Sequence, residues 1–192
     1  KEELVKEFSL EKIQKSGAVF DVAKLDWMNG EYIRKKSLTE LVGLSKPYLK
    51  DFLKFSISND QFSNTYIEKV IALEQPRLKK LSEIGKRIDF FFKEPEYDKE
   101  LLRWKNMTDK DVKNALQKAK KLLSVANSPI DKKTLEKAFF DEIGDSDKGK
   151  LLWPLRVALS GKKASPGPFE IIEILGVQES TKRLTQAEQK FL

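Results

Sequence analysis

The 192-residue chain contains no cysteine and no histidine. Without cysteine there are no disulfides and no thiolate chemistry, which agrees with a cytosolic protein. Without histidine the usual zinc sites, imidazole general bases and Ser-His-Asp triads are excluded. Neither Gly-x-x-x-x-Gly-Lys-Ser/Thr nor Gly-x-Gly-x-x-Gly occurs, so the common phosphate-cradling loops are missing too. No apolar run is long enough to span a bilayer, and no secretory hydrophobic segment stands at the start. Strand-type alternation is nearly absent, and Ala18-Val19-Phe20-Asp21 is the one short stretch that reads as extended. No repeat of fixed period is found. The chain begins at Lys1 rather than methionine, which suggests a fragment or a processed product.

What the chain does have is charge. Lysine and arginine number 37 against 30 acids, giving a net charge of +7 and a pI near 9.3. A basic surplus favours phosphate-rich partners, although it also serves solubility alone. With 40% hydrophobic residues the chain is globular rather than disordered, and its length suits one or two domains. The acids Asp141, Glu142 and Asp145 read as solvated helix ends.

The dominant period is helical, and the expected fold class is all-α. Val112, Leu116, Ala119, Leu122, Leu123 and Ala126 fall on one stripe. Thr108-Asp109-Lys110-Asp111 in front of them reads as a capping box with Asp in place of Glu. Ser37-Leu38-Thr39-Glu40 is a second box. Ile67, Val70, Ile71 and Leu73 form another stripe, and Leu78, Leu81, Ile84 and Ile88 continue it beyond a break at Pro76. Leu135, Ala138, Phe139 and Ile143 mark a short helix ended by Gly144. Turn-rich segments lie at 93–97, 127–129 and 144–149. The expected organisation is a segment over 1–36, a first helical subdomain over 37–100 and a second over 101–192, packed together.

Three places stand out as candidate functional sites. In Leu151–Gly176 a single arginine, Arg156, sits in an apolar run, where a charge is costly unless partnered. A salt bridge and a ligand contact are both open for it. The run breaks at Ser160-Gly161, passes Lys162-Lys163 and restarts at Ser165-Pro166-Gly167-Pro168. Ser165 there is expected to cap a helix with Pro166 at its first position, leaving N–H groups suited to an anion or a base edge. The stretch Lys24–Arg34 mixes aromatics with bases: Trp27 and Tyr32 can stack while Lys24 and Arg34 meet phosphates, or Trp27 and Ile33 are core. Arg77 directly follows Pro76 and by itself reads as a surface residue.

Lys-Leu-Asp-Trp-Met-Asn-Gly-Glu-Tyr-Ile-Arg (24–34), Pro76-Arg77, Pro154-Leu-Arg-Val-Ala-Leu-Ser-Gly161, Ser165-Pro-Gly-Pro-Phe-Glu170 and Ile174-Leu-Gly176 occur in this order. In that order they resemble the C-terminal half of bacterial glutamyl-tRNA synthetases, from about Phe8 to Leu184. The resemblance implies a stem-contact segment followed by two helical anticodon-binding subdomains. It implies that Arg77 reads the third anticodon base, that Arg156 and Ser165 contact the others, and that Phe169 packs beside them. Pro168 stands where the family usually has leucine. Lys137 aligns with a family arginine before the Gly144 turn, although the following loop is one residue longer here. Lys24 and Trp27 match stem-contact positions, and Arg34, which closes that block, is expected to contact the stem with them.

The family's chemistry, activation of glutamate with ATP and Mg²⁺ and transfer to tRNA(Glu), uses a His-x-Gly-His motif and a Lys-Met-Ser-Lys-Ser loop. This chain has neither. The expectation is therefore a catalytically inactive, cytoplasmic, monomeric tRNA(Glu)-binding part with no cofactor of its own and no membrane contact. Arginine offers only donors, which suit cytosine O2 and N3 and oppose guanine N1–H and N2–H, so a type that rejects glutamine tRNA is expected. One rival is an all-α protein-interaction module, which would instead show a large exposed apolar patch. Another is a glutamylating paralogue acting on a different tRNA, which would need a catalytic domain.

Overall fold

Regular structure in the described residues (2–9, 19–49, 63–124 and 131–191 of this computed structural model) is helical, and none of them forms a strand. Ala18, Ala126 and Asn127-Ser128-Pro129 lie outside those residues; Val19, Phe20 and Asp21 precede a helix without forming a regular element. The described helices are α1 (Glu2–Glu7), α2 (Val22–Lys35), α3 (Leu38–Ser45), α4 (Asn64–Glu74), α5 (Ile84–Ile88), α6 (Asp109–Ser124), α7 (Lys132–Ile143), α8 (Gly149–Ser160) and α9 (Pro168–Gln189).

Local chemistry sets most of their ends. Ser37 and Glu40 form the reciprocal capping box at α3. Thr108 and Asp111 do the same at α6, with Thr108 N–H donating to Asp111 Oδ2 at 2.9 Å and Asp111 N–H to Thr108 Oγ1 at 3.2 Å. Asp21 caps α2 and Asp131 caps α7. Gly144 ends α7 at φ 52°, and Gly161 ends α8 at φ 67° in the left-handed region. Pro154 lies inside α8 with its ring buried. Its missing N–H removes one helical hydrogen bond, to the carbonyl of Lys150, an exposed residue.

Most residues of the stripes read from the sequence are buried, with Leu73, Leu81, Leu122 and Ala138 partly so. Val112, Leu116, Ala119 and Leu123 of α6 join Leu155, Val157 and Leu159 of α8 and Ile171, Ile172 and Leu184 of α9 in a contiguous core, which also contains Ile67, Val70, Ile71, Ile84, Ile88, Phe90 and Phe91. Helices α6, α8 and α9 pack on one another, while α4 packs against α3 and α5 and touches α9. Arg183 of α9 is only 3% exposed: its guanidinium pairs with Glu179 at 2.8 Å and donates to the Leu159 carbonyl at 2.6 Å. It thereby satisfies an orphan carbonyl at the end of α8 and fixes α9 against it.

Within α9 the backbone at Gly176 has φ 80° and ψ 166°, so the element is two helical pieces joined by a kink. That conformation is essentially restricted to glycine. A methyl group there would meet nothing within 4 Å, so its cost is conformational alone. Gly176→Ala is expected to lower stability by about 1–3 kcal/mol in urea unfolding. An unchanged midpoint would show that the kink is not held.

Candidate nucleic-acid interface

Two arginines 79 positions apart in sequence, Arg77 and Arg156, lie near enough in the fold for the Arg77 charge to act on Arg156. Arg77 lies in a 3-10 turn, Gln75–Arg77, that follows α4 because Pro76 cannot continue the helical hydrogen bonding. The turn is held from behind by α2. The Gln75 amide donates to the Ile33 and Lys36 carbonyls at 3.0 and 2.9 Å, satisfying the open end of α2. Arg34 donates to the Pro76 carbonyl at 3.3 Å, Asn29 donates to the Lys79 carbonyl, and Lys80 pairs with Asp26 at 2.9 Å.

The Arg77 side chain is 30% exposed and bonds Glu74 Oε1 at 3.2 Å, three residues back along the chain. Glu74 is 1% exposed and shares its other oxygen with Arg87 at 3.7 Å. Burial pushes the Glu74 carboxyl up, and the charges of Arg77, Arg87 and Lys162 oppose that shift without cancelling it. Arg87 also pairs with Glu83 at 3.2 Å.

Arg156 meets no carboxylate within salt-bridge distance among the described residues. Its guanidinium stacks on Trp153, 4.7 Å from the ring centroid, and donates to the Lys163 carbonyl at 3.0 Å. Trp153 is in turn fixed by its indole N–H, which donates to the Leu101 carbonyl at 2.8 Å, and by Trp104 at 5.3 Å. Partial burial, and then the Arg77 charge, push the Arg156 guanidinium below its usual range. It remains a cation, since arginine does not deprotonate in proteins. Of the basic pair beside it, Lys162 is tied into the fold by Asp89 at 2.7 Å and the Lys86 carbonyl at 2.7 Å, whereas the Lys163 side chain is exposed.

The restart at Ser165 differs from the sequence reading. Helix α9 begins two residues later, with Gly167 at the cap and Pro168 at the first position, and no side chain caps it. Ser165 is 8% exposed and its hydroxyl donates to the Pro166 carbonyl at 3.0 Å. The second X-Pro pair is used because Glu170, at the third helical position, folds its carboxylate back over Gly167. Burial raises the Glu170 carboxyl. The hydrogen bond from Lys132, at 2.7 Å, and the helix's own N–H outweigh that and leave it lowered. The N-terminus expected to await an anion therefore already holds one of its own.

Phe169 is 5% exposed, its ring edge-on to Phe139 at 5.3 Å and 6.1 Å from Phe140. It is a core residue here, with no face turned outward for a base. Phe140 is 40% exposed and carries Lys148 4.9 Å from its ring centroid. Pro168 is half-buried beside Phe169, and Lys137 is exposed on α7. On α2, Lys24 and Trp27 are exposed, Trp27 to 59%, while Ile33 is buried. Leu25, Met28 and Tyr32 are exposed on the same helix. Arg34 is placed apart from Lys24 and Trp27 by its contacts: it pairs with Glu31 at 2.5 Å and reaches the Pro76 carbonyl.

Sequence reasoning missed Glu74 and passed over Trp153 as one apolar residue among several. Both stand three residues before the arginine they hold, the helical neighbour spacing that could have identified them.

A family model described as "Anticodon binding domain" matches residues 40–188. Glutamate–tRNA ligase of Clostridium kluyveri is 38% identical over 98% of this chain, which spans 38% of that protein. The same enzyme of Clostridium tetani is 39% identical over 95% of the chain and 37% of its own length. The chain thus spans little more than a third of these curated relatives. A crystal structure of a glutamate tRNA ligase from Elizabethkingia meningosepticum, in complex with its amino acid, superposes with a TM-score of 0.74 at 25% identity, covering 98% of this chain and 36% of that one. The expected all-α architecture and its likeness to glutamyl-tRNA synthetases are both found. The chain belongs to the anticodon binding domain family.

Proposed function

We propose that this chain is the tRNA-reading, C-terminal part of a glutamate–tRNA ligase that recognises the anticodon loop of tRNA(Glu). The observation that carries this reading is a pair of separately braced arginines, Arg77 and Arg156, near enough for the charge of one to act on the other, in a member of an anticodon-binding family. One is braced by a buried carboxylate and the other by an indole face, so both can present N–H donors to unpaired bases. In this reading Arg77 meets the third anticodon base, and Arg156 and the Ser165–Pro168 loop meet the others. Phe169 supports that loop from inside, with Lys137 and exposed Phe140 at its margin. Lys24 and Trp27 of α2 face the stem, and Arg34 braces the Arg77 turn. The divisions 1–36, 37–100 and 101–192 would then be a stem-contact segment and two anticodon-binding subdomains.

Among the described residues no three acidic side chains converge to hold a divalent ion. Because this chain lacks the His-x-Gly-His motif and the Lys-Met-Ser-Lys-Ser loop, we place ATP, Mg²⁺ and glutamate activation in the remaining length of the relatives. We also place the protein in the cytoplasm as a monomer. None of the described helices is long and apolar enough to cross a membrane. The exposed apolar residues of α2 are a feature that a protein-interaction module would share. The cationic pair and the family match favour RNA.

Binding of an RNA hairpin bearing the glutamate anticodon is expected to fall on the order of tenfold or more between about 50 and 200 mM salt, if at least three phosphates are contacted. Fluorescence anisotropy across that range checks it. Absence of binding, or affinity indifferent to salt, would count against this reading.

A further inference from the structure

We infer that Glu74 is a specificity-positioning residue: its buried carboxylate restrains Arg77 as a base reader and keeps that arginine from acting as a phosphate contact. This rests on the proposed role of Arg77. Glu74 is 1% exposed, so it cannot touch a bound RNA. Its effect must pass through the groups it holds. Oε1 accepts the NH1 donor of Arg77 at 3.2 Å, while Oε2 accepts no hydrogen bond and faces Arg87 at 3.7 Å. One edge of the Arg77 guanidinium is thus occupied from below, and the remaining donors are the ones left for a ligand.

The surroundings make this restraint necessary. Arg87, Lys162 and Arg156 place further positive charge near Arg77 and Glu74. Glu83 and Asp89 neutralise Arg87 and Lys162 at 3.2 and 2.7 Å. Among the described residues Arg77 pairs with Glu74 alone. A half-exposed arginine without that bond has many rotamers, and repulsion from Arg156 would drive it outward toward the nearest phosphate. Phosphate contacts add affinity without sequence information. Loss of Glu74 should therefore lower discrimination while increasing the electrostatic share of binding. A merely structural defect would weaken all RNAs together.

The test uses the 192-residue chain and two synthetic anticodon hairpins that differ only in the third anticodon base, C or G. In Glu74→Gln the preference for C is expected to fall on the order of tenfold. The salt slope for the G hairpin should steepen by about 0.7, one additional single-strand phosphate contact. Glu74→Asp retains the buried charge but retracts it by one methylene, so it should lose part of the preference even if the glutamine variant is too unstable to assay. In an Arg77→Gln background, Glu74→Asp should change the preference no further. If Arg77→Gln alone alters the preference while both Glu74 variants discriminate like the parent, this inference is overturned and the reading of Arg77 stands. If Arg77→Gln leaves the preference unchanged, the reading of Arg77 itself fails.

Discussion

Arg77→Gln is expected to relax discrimination between anticodons ending in C and in G by about 1–3 kcal/mol, or roughly 5- to 150-fold. The guanidinium is all donor, so it matches the O2 and N3 acceptors of cytosine and opposes the N1–H and N2–H donors of guanine. Glutamine offers a carbonyl as well as an amide, so guanine finds an acceptor where it met a donor, and the repulsive half of the specificity disappears. The fold should survive the change. Glu74 keeps Arg87 at 3.7 Å as counter-charge, and the glutamine amide can donate to Oε1 in place of NH1. Competition binding with the two hairpins measures the ratio directly. In the ligase with its catalytic portion present, the same ratio is read as relative kcat/KM for glutamate and glutamine tRNA. An undiminished ratio in both assays would remove Arg77 from base reading.

Phe139→Ala is expected to have the largest effect on stability, about 3–5 kcal/mol. The ring is fully buried and meets Phe169 edge-on at 5.3 Å. Its loss removes apolar burial, opens a cavity in a close-packed interior and ends an aromatic contact. For a chain of this size the melting midpoint should fall by roughly 6–20 °C. Phe169 directly follows Pro168 at the start of α9, so the Ser165–Pro168 loop should loosen with it. The Arg77 turn is held separately by α2, and third-base preference measured well below the midpoint should therefore persist. Calorimetry and hairpin binding on the same variant separate the two effects. A loss below about 1 kcal/mol would mean that the surrounding side chains close the cavity.

Much of the helical framework was legible because its signals are local. The Ser37/Glu40 and Thr108/Asp111 boxes, the break at Pro76, and the glycine ends at Gly144 and Gly161 each depend on neighbours within a few residues. The apolar stripe of α6 is buried as its spacing predicts, because a 3.6-residue period can turn it toward only one side. The start of α9 was misplaced by two residues because Ser165-Pro166 and Gly167-Pro168 carry similar cap signals, and Glu170, paired with Lys132 38 positions away, favours the second.

The chain alone determined the all-α class, the exclusion of histidine and thiolate chemistry, and which arginines were worth attention. It could not say what those arginines touch. Phe169 has the same aromatic character whether it stacks on a base or on Phe139, and only packing assigned it to the core. Arg156 had a salt bridge as an open alternative, and the fold gave it the Trp153 face and the Lys163 carbonyl instead. The approach of Arg77 to Arg156 is wholly tertiary. The brace of α2 behind the Gln75–Arg77 turn is likewise a contact between segments about 40 positions apart, which carries no local signature, whereas Glu74 lies one helical turn from Arg77 and only its burial is tertiary.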